Sequence, residues 1–284
     1  MSFKAYNIRS TVAPAPGVAG PFSVDLARLG HGSQGNTHMR FDGVNQYAIN
    51  TDGVGPGVFP NSPGPATTAT ILWWVRGTDA AVAAPVRTYA AFRSASAIYD
   101  AYAAGYFRPD APNWRILSNR LRTIPSAQVN GRVLYQTSWT GGTMADPSTW
   151  RLMAQTITAT KHNFYAKGGF VPNATDSTVV DYSNEIGKYF TFNGSVSGAG
   201  ALVAGTTMPL DYRAPAVYQS VLTEAQLQAI DAAGPNFDHA ANGAEGWWPG
   251  DGDTYPAWTN KGSAGASWNL TLVNGSQAMV REDV

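Results

Sequence analysis

Residues 208–235 read MPLDYRAPAVYQSVLTEAQLQAIDAAGP, and their reading decides the fold. Val217 and Tyr218 close a β-prone segment. Thr223 then fits a helix N-cap, because its hydroxyl accepts a bond from an otherwise unpaired amide of the first turn. Gln226 lies three residues on and completes a capping box, with Leu222 and Leu227 as a hydrophobic staple. Glu224 sits in the first turn, where a negative charge meets the positive end of the helix dipole. Leu227 and Ile230 share a face. Gly234 and Pro235 follow as an αL-capable residue and then a breaker. One short capped helix therefore stands behind a strand, in a sequence that is otherwise β-like.

Working outward, the 284 residues can bury a full core, as one large β domain or two small ones. Charged residues make up 13%, well under the roughly 25% of an average soluble domain, so polarity comes from Thr, Ser, Asn and Gln. Formal charge is zero and the cations are scattered without a basic stripe, which argues against a nucleic-acid partner. There are no cysteines. The start, MSFKAYNIRSTVAPAPG, lacks the basic and apolar runs of a signal peptide, and no apolar run approaches the ~20 residues that span a bilayer. Synthesis in a cytoplasm without export is the expectation, with no membrane partner. The Asn-x-Ser/Thr matches at Asn173, Asn193, Asn269 and Asn274 then read as turn chemistry.

Residues 1–35 read as an extended N-terminal arm, either a floppy terminus or a docking arm that orders on a partner. Residues 36–284 form the main domain. MRFDGVNQYAIN (39–50) predicts a strand pair about the Asp42-Gly43 turn. In TATILWWVRGTD (68–79), Ile71, Trp73 and Val75 share one face and Leu72 and Trp74 the other, as in a strand covered on both sides. Strands are expected at 87–95, 114–121 and 131–139. IYDAYAAGYF (98–107) fits either a strand pair or a helical turn. WRLMAQTITATKHNFYAKGGF (150–170) predicts a hairpin. SWNLTLV (267–273) and QAMVRE (277–282) read as strands. Short strands separated by Gly/Pro turns argue for a two-sheet antiparallel sandwich, an all-β jelly roll.

Four stretches in this order carry a resemblance: FDGVNQYAI (41–49), ATILWWVRG (69–77), TWRLMAQTITATKHNFYAKGGF (149–170) and YRAPAVYQSVLTEAQLQAI (212–230). The chain resembles the laminin-G-like, concanavalin A-like lectin/glucanase jelly roll. The resemblance implies two stacked antiparallel sheets of about six or seven strands each. Pro215 departs from that pattern inside the closing strand, where it removes a ladder donor and predicts an edge or a bulge. The tail GWWPGDGDTYPAWTNKGSAGASWNLTLVNG (246–275) is similar to endings of such domains on bacteriophage virion proteins.

A retaining glucanase on this fold needs two glutamates with carboxyls roughly 5–5.5 Å apart. The chain has four glutamates, Glu185, Glu224, Glu245 and Glu282, and none pairs with another by strand alternation. Asp181 and Glu185 share a face only if DYSNEIG is a strand, and a turn fits it better. The histidines, His31, His38, His162 and His239, show no ligand spacing, and without Cys a zinc site is not expected. His162 falls at a hairpin turn, where exposure is the simplest reading.

Asp251 and Asp253 offer oxygens to calcium, a hard ion held by loop carboxylates; the competing reading is a Gly-Asp turn. No other cofactor is implied. Trp247, Trp248, Tyr255 and Trp258 surround that loop as candidate ligand-binding aromatics. Trp247 and Trp248 must point to opposite faces of a strand, so one of them needs a cover, a partner chain or a ligand. The leading expectation is a non-enzymatic phage virion protein, a capsid decoration or tail-associated protein, in contact with other virion proteins and forming homo-oligomers. The alternative is a carbohydrate-binding module or adhesin, and the third reading is a glycan-cleaving enzyme.

Overall fold

The computed structural model describes residues 36–50, 68–77, 149–157, 162–166, 168–170, 187–194, 196 and 200–283, together with backbone strand segments between 87 and 140. The arm (1–35), residues 95–103 and the 171–186 stretch with Asp181 and Glu185 lie outside the described residues, as do His31 and the His162 side chain.

Two antiparallel sheets make the sandwich. The larger has eight strands, in the order Gly169–Phe170, His162–Ala166, Arg151–Ile157, Ala69–Gly77, Leu210–Tyr218, Thr37–Arg40 and Val280–Glu282, with Gly246–Trp247 also pairing to Leu210–Tyr218. The smaller has five: Ala257–Trp258, Leu270–Val273, Tyr47–Asn50, Gly187–Phe192 and Ala90–Ser94. A separate antiparallel sheet is built on the hairpin of Ala104–Asp110 with Asn113–Asn119. The end of the ambiguous 98–107 stretch is thus strand. Because the middle of the chain forms its own sheet, the sandwich divides eight and five rather than six or seven on each side.

Strand alternation sets the layers. Ile71, Trp73 and Val75 face the smaller sheet and join Met39, Phe41, Tyr212, Phe190, Phe192 and Trp248 in the central core. Leu72 and Trp74 face outward and are buried beneath the Glu224–Ala233 helix with Leu222, Leu227 and Ile230. The expected capping box is present: the Gln226 amide donates to Thr223 Oγ1 at 3.3 Å, and the Thr223 amide to Gln226 Oε1 at 2.7 Å. The Glu224 carboxylate has a second task, accepting from the Phe170 amide at 2.6 Å, which ties the helix to the sheet edge.

Pro215 makes a bulge rather than an edge. Arg213 stands opposite Trp74 and Ala216 opposite Leu72, so Ala214 and Pro215 together face one residue, and Ala214 has φ +44°. The bulge lies where the strand's other neighbour changes from Thr37–Arg40 to Gly246–Trp247. A residue with no N–H is tolerated at that seam, and its carbonyl accepts the Trp248 amide at 3.0 Å. The extra residue also shifts the alternation. Asp211 and Arg213 before it, and Ala216 and Tyr218 after it, all face outward.

One expectation is corrected. Met39 and Ile49 do not belong to one hairpin; Thr37–Arg40 is in the larger sheet and Tyr47–Asn50 in the smaller. The Asp42 carboxylate folds the link as an Asx turn on the Val44 amide (2.8 Å), and Gly43 has φ +76° with Pro209 against it, so the chain arches across the core. The 150–170 hairpin forms as expected. The 267–282 stretch gives two strands, Leu270–Val273 and Val280–Glu282, in different sheets. Asn193 and Asn274 both have φ +58° and donate to backbone carbonyls of the 45–46 turn, the turn chemistry expected of them. Among the described residues no helix is long and apolar enough to cross a membrane.

Candidate functional site

The four candidate aromatics divide by burial. Trp248 is in the central core and donates its indole N–H to the Trp268 carbonyl at 2.9 Å. Trp258 is buried beside it, with its indole on the Trp248 carbonyl at 3.0 Å. Trp247 points to the other face, as alternation requires, and its cover is the chain's own helix layer with Phe237 and His239. Gly246 has no room for a Cβ, which would meet the Trp248 ring at 2.6 Å. These three tryptophans are therefore corrected from ligand platforms to core: packing takes both their faces and, for Trp248 and Trp258, the N–H. Tyr255 is half-buried, and its hydroxyl accepts the Gly275 amide at 3.3 Å.

Of the two candidate calcium carboxylates, Asp253 is engaged in the loop's own turn. The Asp253 carboxylate accepts the Thr259 amide at 2.8 Å, and the turn bends at Gly250 (φ +85°) and Gly252 (φ +75°). Among the described residues no group of three or more His, Asp or Glu is placed to hold a metal ion.

A cluster not singled out in the sequence occupies the outer face of the larger sheet, at the end away from the helix. Register puts Arg40, Asp211 and Arg76 side by side on three neighbouring strands. Asp211 is fully buried and accepts a two-point bond from Arg40, at 2.7 Å to Oδ1 and 2.8 Å to Oδ2, plus Arg76 Nε at 3.0 Å. Two residues along each strand, alternation adds His38 and Arg213 to that face. Trp150, at the foot of the Arg151–Ile157 strand, lies flat under Arg76, whose guanidinium carbon is 4.4 Å from the ring centre.

Asp283 closes the cluster. Its Oδ1 accepts Arg76 Nη2 at 2.7 Å; its Oδ2 accepts the Trp150 indole at 3.1 Å and Arg213 Nη1 at 3.5 Å. Its amide donates to the Asn36 carbonyl at 3.0 Å, and Arg213 also donates to Asn36 and Asn236. The two carboxylates differ: Asp211 is sealed, whereas Asp283 keeps 26% of its side chain exposed.

Protonation follows from these contacts. Burial pushes the His38 pKa below 6.5 against the pull of Asp211 and Asp283, so the ring is neutral at pH 7. Burial raises the Asp283 pKa, but hydrogen bonds from Arg76 and Trp150 outweigh it and hold the carboxyl below its ordinary value. Burial lowers the Arg213 pKa, opposed by Asp283 and Asp251; the candidate calcium ligand Asp251 thus acts as a counter-charge to this arginine. Under the helix, complete burial drives His239 down to about 3, and the ring pairs with the Tyr218 hydroxyl at 2.8 Å.

Arginine pairs and a tryptophan N–H make a planar set of donors for carboxylate. No family profile matches the sequence, and no curated protein matches it. Solved structures do match. A candidate carbohydrate-binding protein from Bacteroides ovatus superposes with TM-score 0.52 at 13% identity, covering 88% of this chain and 60% of that one. The chain shares that protein's antiparallel sandwich fold. It spans 60% of that protein's length, just under two thirds. A SAP-like pentraxin of Limulus polyphemus gives TM-score 0.47 at 9% identity over 69% of this chain and 81% of its own. The CBM40 of Ruminococcus gnavus IT-sialidase, bound to α2,3 sialyllactose, gives 0.44 at 12% identity over 69% and 97%.

Proposed function

We propose that this chain is a non-enzymatic, lectin-like binding domain carried on a bacteriophage virion as a capsid decoration or tail-associated protein. The observation that carries the binding reading is the sandwich shared over 88% of the chain with a candidate carbohydrate-binding protein. The virion reading is supported by the tail GWWPGDGDTYPAWTNKGSAGASWNLTLVNG, similar to endings on virion proteins, and by a chain without cysteine. Two of the four glutamates are engaged in holding loops, Glu224 on the Phe170 amide and Glu245 on the Gln219 amide, which supports a non-catalytic role. On the virion the flat sheets would meet other subunits in symmetric contacts. Deletion of residues 1–35 tests the arm as anchor: particle binding is lost while the domain keeps its melting transition. Particles that still bind the truncated chain would refute the arm's role.

The second reading, a carbohydrate-binding module or adhesin, is favoured by the same structural likeness and by the donor-rich outer face. A glycan array tests it, with signal expected on glycans bearing carboxylates. A flat array would remove it and leave protein partners only.

A further inference from the structure

We infer that the Arg76–Arg213–Trp150–His38 cluster is a binding site for a carboxylate-bearing ligand, held in this structure by the side chain of Asp283 as an exchangeable internal stand-in. The identity of the ligand as an acidic sugar rests on the glycan-binding reading above; the site itself does not.

The warrant is a donor that Asp283 leaves unused. Arg76 Nη2 lies 3.2 Å from His38 Nε2. A guanidinium only donates, so Nε2 accepts and the proton of the neutral ring is on Nδ1. His38 is 3% exposed, and Nδ1 has no hydrogen-bond partner. It sits 3.5 Å from Asp283 Oδ1, close but not bonded. Arg213 Nη1 is at the same long distance from Oδ2. Asp283 reaches in from the end of the Val280–Glu282 strand, with its own amide fixed on Asn36. Its carboxylate is tethered, stops short of His38 Nδ1 and reaches Arg213 only at 3.5 Å. A free carboxylate has no tether and can seat deeper, meeting His38 and Arg213 while keeping Arg76 and Trp150.

Access and exchange follow from the same coordinates. Asp283 is the outer, partly exposed carboxylate of the pair, so its departure uncovers the donors without disturbing Asp211. Arg40, which shares Asp211 with Arg76, is 40% exposed, so the cluster meets solvent on that side too. Leaving the buried cations without a counter-charge is costly, so an incoming carboxylate is bound more strongly when Asp283 is absent.

The test is chemical rescue on the full chain. Asp283→Ala melts below the parent in sodium chloride. Replacing chloride at equal ionic strength by acetate or glucuronate restores a Tm gain of about 2–4 °C over that seen in the parent. Neutral glucose restores nothing. Adding Arg76→Lys to Asp283→Ala abolishes the rescue, because Lys cannot supply the planar fork. If Asp283→Ala does not fold, Asp283→Asn, which keeps the shape and removes the charge, is read the same way. Rescue by acetate without glucuronate supports the site and counts against the acidic-sugar ligand. A folded variant that responds alike to chloride, acetate and glucuronate overturns the inference. So does failure of both variants to fold, since Asp283 is then structural cement.

Discussion

The outer face of the eight-stranded sheet is closed in two different ways along its length. At one end Leu72, Trp74, Ala216, Tyr218 and Trp247 lie under a capped helix, in contact with Leu222, Leu227 and Ile230. At the other end His38, Arg40, Arg76, Asp211 and Arg213 are closed by ion pairs, with Asp283 as the outer member. Apolar closure gains roughly 1.5–3 kcal/mol per large side chain buried. Ionic closure must first remove charges from water, and the Coulombic return often no more than offsets that loss. A fold that needed only stability has little reason to build the second kind. The contrast sets the helix end, closed by packing, against the ionic end, where the carboxylate site is proposed.

Substitutions at the two ends sharpen that contrast. Asp211→Ala leaves Arg40 and Arg76 without their sealed counter-ion and is expected to cost about 3–5 kcal/mol by urea denaturation. A loss under about 1 kcal/mol would mean the ionic end is solvated and not a built site. Leu227→Ala at the helix end is expected to cost about 2–5 kcal/mol through the cavity it leaves, with carboxylate response unchanged. Coupling between Leu227→Ala and the rescue described above would merge the two ends into one unit.

Acid separates the ends more gently. His239 and His38 both have folded pKa values below 6.5, so the unfolded chain binds their protons first. Stability is therefore full above pH 6.5 and falls as pH drops. His239, depressed to about 3, contributes a slope of up to about 1.4 kcal/mol per pH unit down to that value. Asp283 is a depressed carboxylate: its contribution is complete above the ordinary value of 3.8 and is lost as pH falls through its lower folded value. Between pH 6.5 and 4 the histidines lower stability as pH falls, and Asp231, whose pKa burial raises, opposes them. Urea midpoints across that window should flatten more in His239→Gln than in His38→Gln; the reverse order would place the buried neutral ring at the wrong end.

The smallest effect is local. Thr223→Ala removes one side of the capping box and should cost about 1 kcal/mol, at the helix end only.

The helix end was legible because its signals are adjacent in sequence: Leu222, Thr223, Gln226, Leu227 and Gly234 fall within thirteen consecutive residues. The alternation of Ile71 through Val75 likewise gave both faces of the central strand, and Pro215 announced an edge or a bulge. The ionic end was not legible. Asp283 lies 207 residues from Arg76 and 133 from Trp150, and only strand order brings them together. One signal was present: the alternation that turns Leu72 and Trp74 outward also turns Arg76 outward. A charge at the end of an otherwise apolar face asks for a partner. The ligand reading of the tryptophans failed for the opposite reason. Trp247 and Trp248 do point apart, but sequence alternation does not say that the chain's own helix layer covers the second face.

The most direct measurement is the indole N–H region of a ¹H–¹⁵N spectrum of the Asp283→Ala chain titrated with glucuronate. The Trp150 resonance is expected to move on saturation while those of Trp247, Trp248 and Trp258 stay in place. Movement of Trp247 or Trp258 with Trp150 unmoved would contradict it.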